Sequence, residues 1–448
     1  MEPGIFERKI YNQLKDWKER SRGKSALLIE GARRVGKSTL VEEFGKREYR
    51  SYLLIDFMRP LPGTVDIFES YSHDIGLLIS NLSLLYGVRL YERESLVVFD
   101  EIQKYPKARE LIKYLIQDGR YDYIETGSLI SIRENVKGIQ IPSEEESIQM
   151  NPMDFEEWLW ACGDLDSMGV IRSHFDRREP LGRVMHSVMM DKFRTYMVVG
   201  GMPGAVSAYL RDHDVSASED VKRQIIQLYR NDMRKNEHAP LQTLRLFDTV
   251  PSRLSKRSKV FRPGSVEKGT ITDDYGGAFE WLSESKIVSM CVSNTDPNPA
   301  MNLDNDRGRL KLYLLDTGLL ITLAMDTGVV DRSIFAQLAR SKIGINEGML
   351  SENYVAQALT ASGHRLYFHE FYMKGDDRNL YEVDFILVKG KKIIPVESKS
   401  SKSGAHTSLD NFMGIYRKRI DGAIVLHHKD VRVDGDIIYL PIYMASLL

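Results

Sequence analysis

The sequence predicts an α/β protein whose first part is built on a parallel sheet, and three observations carry that prediction. Short apolar runs alternate with amphipathic helical stretches from residue 1 to about 135. One of those runs leads directly into a glycine-rich loop and then a helical pattern. Another delivers two adjacent acids at its end. Buried strands separated by helices are the signature of a parallel sheet covered on both faces.

The strands are read as "SALLIE", "YLLIDF", "SLVVFD" and "YDYIETGS". After the first comes "GARRVGKST", a GxxxxGKS pattern formed by Gly31, Gly36, Lys37 and Ser38. Glycines let such a loop curl so that its N–H groups and the following helix N-terminus face phosphate oxygens. Gly31, Arg33, Arg34, Val35, Gly36, Lys37, Ser38 and Thr39 are the expected nucleotide-binding residues. Lys37 would reach the β and γ phosphates and Ser38 would ligate magnesium. Arg33 and Arg34 read equally as contacts to nucleotide or a neighbouring subunit and as solvated loop charges. After the third strand, Asp100 is placed to hold magnesium and Glu101 to orient or deprotonate the attacking water. The fourth strand ends in "YIETGS", where Thr126 or Ser128, with Ser128 preferred, would lie between the acids and the γ phosphate.

At 448 residues the chain exceeds a single core, which stops growing at roughly 250 to 300 residues. From "NPMDFEEWLWACG" to about Asn236 the pattern is almost wholly helical, as in a lid or connector. Residues 241–345 run helix, helix, strand, charged loop, strand, the order of a winged helix. Residues 346–448 form a further α/β unit. The basic and acidic residues, 62 and 63, nearly cancel, so any nucleic-acid contact must come from a local patch. The stretch "SRLSKRSKVFRP", with Arg253, Lys256, Arg257, Lys259 and Arg262 and no acid, is either such a patch or a solvated helix face. Two cysteines, Cys162 and Cys291, exclude a disulfide framework and read as packed apolar thiols in a reducing cytoplasm. No stretch approaches the roughly 20 apolar residues of a membrane span. No serine- or cysteine-hydrolase pattern and no paired-histidine metal spacing is present.

Within the last unit, "EVDFILVKGKKIIPVESKSSK" reads as a hairpin turning at Gly390-Lys391. That register sets Asp384 opposite Glu397 and Glu382 opposite Lys399. Opposed carboxylates, with Cβ atoms about 5 Å apart, call for a cation between them. Upstream, Glu352 projects from an apolar helix face made by Met349, Val355, Ala356 and Leu359. A helix Glu, a strand Asp and Glu-x-Lys form the PD-(D/E)xK nuclease arrangement. There Glu352, Asp384 and Glu397 would bind magnesium and Lys399 would steady the attacking water. The competing reading is a relic in which Glu382 neutralises Lys399 and the acids no longer serve cleavage.

Taken in order, "GARRVGKST", "LVVFDEIQ", "ETGS", "MNPMDFEEWL", "GGMPGAV" and "SENYVAQAL…VDFIL…VESKS" resemble a large set of prokaryotic AAA-type ATP-binding proteins. Their C-terminal half is of uncharacterised function and ends in a restriction-endonuclease-like domain. The resemblance implies an AAA-type ATPase core over 1–150, a helical lid over 151–240, a winged-helix-like unit over 241–345 and a nuclease-like domain over 346–448. It implies ATP and magnesium as cofactors, and nucleic acid and further copies of the chain as partners. The family often carries a Gly-Arg pair where this chain has "PSEEESIQM", so no arginine is expected from that loop.

Overall fold

A computed structural model describes residues 5–127, 144–235, 240–261, 273–326, 333–340, 346–373, 375–400 and 406–448. Ser128 and Arg262, singled out above, lie outside them. Two compact units are formed, one from 1–151 with 284–286 and the other from 152–283 with 287–448. Among the described residues no helix is long and apolar enough to cross a membrane.

The first unit holds a five-stranded sheet in the order β2-β3-β4-β1-β5. Its strands are β1 (Ala26–Glu30), β2 (Ser51–Asp56), β3 (Ser95–Asp100), β4 (Asp122–Gly127) and β5 (Glu145–Gln149), and every neighbouring pair is parallel. The four strands expected from apolar runs are present: β3 and β4 are buried throughout and β1 in all but its last residue, while β2 buries Leu53 and Ile55 on one face. The edge strand β5 carries Glu145 and Glu146 and so has no apolar signature. Arg109 pairs with Glu145 at 2.6 Å, and Arg20 pairs with Glu146. Helix α1 (Ile10–Ser21) buries Ile10, Leu14 and Trp17, and α2 (Lys37–Glu48) follows the glycine loop.

The second unit contains two sheets. One runs β7-β6-β8-β9 and the other β10-β11-β12-β14-β13. Strands β6 (Val288–Asn294) and β7 (Asn305–Leu314) are those of the expected winged unit, and β8 (Leu366–Met373) and β9 (Asp376–Val383) those of the expected nuclease-like unit. Yet β6 pairs in parallel with β8, Val292 opposite Tyr367. The expected boundary at 345/346 thus runs through one sheet. The helices of 152–240 also belong to this unit. They carry its aromatic core, in which Phe193 lies 4.6 Å from Tyr354 and 5.5 Å from Phe155. Phe155 and Trp158 of "FEEWLW" are therefore core residues. Of the cysteines, Cys291 is buried as expected, but Cys162 is exposed.

Within the second unit, the motif acids Asp154 and Glu157 and the motif glycine Gly201 are accounted for by backbone needs. Asp154 and Glu157 form a reciprocal capping box, with bonds of 2.9 and 3.1 Å. The Gly201 carbonyl accepts from the Met153 N–H at 2.7 Å, and the Gly201 N–H donates to Asp316 at 2.6 Å. A methyl group on Gly201 would lie 1.9 Å from the Met153 carbonyl oxygen. Gly201→Ala is therefore expected to cost ~3 kcal/mol, read as a lower urea midpoint. Gly276→Ala, on an open helix face, should be neutral or stabilising. Equal midpoints for the two variants would refute this account of the motif.

The remaining strands are β10 (Phe385–Lys389), β11 (Lys392–Ser398), β12 (Ala423–His427), β13 (Arg432–Asp434) and β14 (Ile437–Pro441). The β10–β11 hairpin has the expected register, from Phe385 opposite Val396 to Lys389 opposite Lys392. The continuous strand expected through Glu382 and Asp384 is instead divided. Glu382 lies in β9 opposite Glu370 of β8, and the chain changes sheets at Asp384. Asp384 takes the Ser398 N–H on its carboxylate at 2.9 Å, in place of a ladder bond.

Candidate functional site

Strand β4 lies between β1, which feeds the glycine loop, and β3, which ends in the acids. That order brings three chain segments together at the carboxyl ends of β1, β4 and β3. Gly36 adopts φ 101°, a conformation that glycine reaches without cost, and α2 begins at Lys37. The exposed Ser38 hydroxyl donates to Asp100 Oδ1 at 3.1 Å. Thr126 Oγ1, fully buried, also donates to Asp100 Oδ1 and accepts the Glu101 N–H at 3.2 Å. Thr126, one of the two residues expected between the acids and the γ phosphate, thus joins the two acids, while Ser128 lies outside the described residues. A hydroxyl and a carboxylate side by side form an all-oxygen donor set of the kind Mg²⁺ takes, so Ser38 and Asp100 fit the expected magnesium site.

Glu101 is held in the left-handed region at φ 55°, uncommon for a residue with a side chain. Such strain is tolerated where the surroundings enforce it. Here the Thr126 bond fixes its backbone, and Gln103 donates to its carboxylate at 2.5 Å. Sequence patterning missed Gln103 because one polar residue after an acid pair has no periodic signature.

Lys37 is 6 % exposed, and its ammonium donates to the Gly31 and Ala32 carbonyls at 2.8 and 3.0 Å. Burial lowers its pKa to about 8, against the opposing pull of Glu101 and Asp100. The protonated form is the one that would meet phosphate. Phosphate would raise the pKa again, so by linkage affinity is full below pH 8 and falls as pH rises through it. Nucleotide affinity should be about tenfold weaker at pH 9 than at pH 7, measured by titration of a fluorescent ATP analogue. A flat profile would show that Lys37 does not meet the phosphates.

Arg8, from the segment before α1, was also missed. It donates to the Val35 carbonyl of the loop at 3.0 Å and to the Asn151 carbonyl at 2.6 Å. An isolated arginine ahead of a helix looks like surface charge, and only the fold reveals the carbonyls it serves. Arg34 lies in the left-handed region at φ 70° and is exposed, while Arg33 is half-buried.

In the second unit, Glu352 lies on the helix Glu347–Ala361 and is 2 % exposed. The expected set is only partly assembled as foreseen. The carboxylates whose oxygens lie within 4.8 Å of one another are Glu352, Glu382 and Asp384, not Glu352, Asp384 and Glu397. Glu397 pairs with Lys399 at 2.5 Å, and Glu382 with Lys311 at 2.6 Å. The expected Glu382–Lys399 pair does not form because the strand divides at Asp384. Lys311, 0 % exposed, also bonds Glu352 at 3.1 Å and lies 4.0 Å from Asp384. Lys259 and the Tyr313 hydroxyl bond Glu352 as well. Lys259 is therefore paired inward, so the basic stretch is not one solvated face.

Charge opposes burial at Glu352, whereas at Asp384 and Glu397 a neighbouring carboxylate adds to it. Burial would raise Glu352, but Lys259 and Lys311 hold it down to about 2. Asp384 is raised to about 6 by burial and then by Glu352, and Glu397 to about 7 by burial and then by Asp384.

The sheet order, the glycine loop after β1 and the acids ending β3 define a P-loop domain of the AAA type. The comparisons agree: residues 23–159 match the family model described as "AAA domain". Residues 190–329 and 347–444 match models described as domains of unknown function, DUF8612 and DUF4143. An uncharacterized protein of Methanocaldococcus jannaschii is 23% identical over 231 residues, 49% of this chain and 46% of that protein. The chain thus aligns with about half of that relative's length.

Two solved structures that align are Cdc6p from Pyrobaculum aerophilum and the Orc1 protein of Aeropyrum pernix in complex with DNA. The first has 10% identity, covers 76% of this chain and 97% of that one, and gives a TM-score of 0.27. The second has 13% identity, coverage of 72% and 94%, and a TM-score of 0.28.

Proposed function

We propose that the chain is a magnesium-dependent ATPase whose nucleotide cycle repositions the 152–448 unit. The observation that carries this reading is the joining of Ser38, Asp100, Thr126 and Glu101 near Lys37 at the carboxyl ends of the central strands. ATP would lie along the loop from Gly31 to Thr39, with Lys37 turned from the loop carbonyls to the β and γ phosphates. Ser38 and Asp100 would hold Mg²⁺, which when bound neutralises phosphate charge. Glu101, oriented by Gln103 and through its backbone by Thr126, would accept a proton from the attacking water. Thr126 would keep that acid in line with the γ phosphate. Multiple-turnover phosphate release with Mg²⁺ and ATP tests this reading, and ATP binding without turnover would overturn it.

For the second unit, nucleic acid is the ligand class that the family resemblance and the exposed Lys256 and Arg257 support. Two readings differ in what happens to that ligand: cleavage at Glu352, Asp384, Glu397 and Lys399, or docking on a nuclease-like fold that does not cut. The inward pairing of the acids with Lys259, Lys311 and Lys399 favours docking. Plasmid, single-stranded DNA and RNA incubated with Mg²⁺ or Mn²⁺, with and without ATP, separate the two. Nicking abolished by Asp384→Ala and Lys399→Ala would establish cleavage instead.

A further inference from the structure

We infer that Lys311 is a built-in counter-ion standing where a divalent metal would have to sit among Glu352, Glu382 and Asp384. The inference deepens the docking reading by naming the residue that closes the centre.

The three carboxylates present oxygens within 4.8 Å of one another, a spacing that one cation could bridge. The Lys311 ammonium lies 2.6 Å from Glu382, 3.1 Å from Glu352 and 4.0 Å from Asp384. Mg²⁺ needs its oxygens at about 2.1 Å and near-octahedral geometry. The same acids cannot close around such an ion while the ammonium remains between them.

The ammonium is also held in place. Its side chain is wholly buried, and the Phe368 ring lies 4.9 Å from Nζ. Tyr313, two residues along the same face of β7, donates to Glu352 and fixes the acid from that side. Lys259 occupies the other Glu352 oxygen.

Charge balance leads to the same conclusion. Three carboxylates against Lys259 and Lys311 leave a single negative charge. A divalent ion added beside both lysines would set four positive charges against three negative ones in a buried site, an expensive arrangement. Removing the Lys311 ammonium restores both the space and the negative charge that a divalent ion needs.

Mn²⁺ titration of the nucleotide-free full chain tests this, by calorimetry and by the electron paramagnetic resonance signal of free Mn²⁺. Asp384→Asn identifies any ion bound at this centre rather than at the phosphate loop. The wild type should show no Mn²⁺ binding that Asp384→Asn removes. Lys311→Ala should gain about one Mn²⁺ per chain, at least tenfold tighter than any wild-type site outside the phosphate loop, and lose it when combined with Asp384→Asn.

Wild-type binding that Asp384→Asn abolishes would overturn the inference, as would a folded Lys311→Ala that gains none. Should Lys311→Ala fail to fold, the comparison of wild type with Asp384→Asn decides alone. ATP turnover is read in a separate assay, so failure of the ATPase reading and failure of this one are distinguishable.

Discussion

Glu101→Gln is expected to lower ATP turnover by at least ~100-fold, the ordinary contribution of a positioned general base, while leaving nucleotide affinity unchanged. The substitution keeps the shape of the side chain, and glutamine can still meet Gln103. The backbone bond from residue 101 to Thr126 is retained too, because it involves only the main-chain N–H. What is lost is the capacity to take a proton. In kinetic terms kcat falls with little change in binding, the pattern of a group that acts on the transition state alone. A parallel loss of affinity would mean that Glu101 supports the loop rather than the chemistry.

The second large effect is on stability. Glu352→Ala removes the carboxylate that Lys259, Lys311 and Tyr313 all bond, leaving Lys259 without its ion-pair partner while Lys311 keeps only Glu382 close by. Breaking a buried pair from one side costs about 3 to 5 kcal/mol, far more than any exposed ion pair. The expected result is a large drop in the urea midpoint at pH 7. The pH dependence follows from the same pairing. Glu352 is held near 2, below its range in the unfolded chain, so its contribution is present above the ordinary carboxylate range. It is lost as pH falls through that range towards 2. The difference between wild type and Glu352→Ala should therefore narrow between pH 5 and pH 2. A midpoint unaltered at pH 7 would refute the ion-pair account.

Much of the first unit was legible because its signals are local. Strands β1 to β4 each carry a short apolar run, and the glycine loop, Lys37 and Ser38 sit within a few residues of one another. The β10–β11 register was equally local, set by the turn at Gly390. The errors came where distant segments decide. In "RLKLYLL" Leu310, Leu312 and Leu314 alternate with Arg309, Lys311 and Tyr313, which marks two faces without showing what covers the second. Whether that face is solvated depends on the helix carrying Glu352, 41 residues further on, which bonds both Lys311 and Tyr313. The division at Asp384 and the sheet that unites β6 with β8 were hidden for the same reason. Periodicity tells which residues share a face, but not what covers it.

On the proposed reading, the residues around Lys37 and Glu101 turn over ATP. Steady-state phosphate release by the wild type and Glu101→Gln, each with its nucleotide affinity measured alongside, tests it most directly. Many phosphates per wild-type chain are expected, dependent on Mg²⁺, and almost none from Glu101→Gln at equal affinity. Nucleotide binding by the wild type with no Glu101-dependent turnover would contradict it.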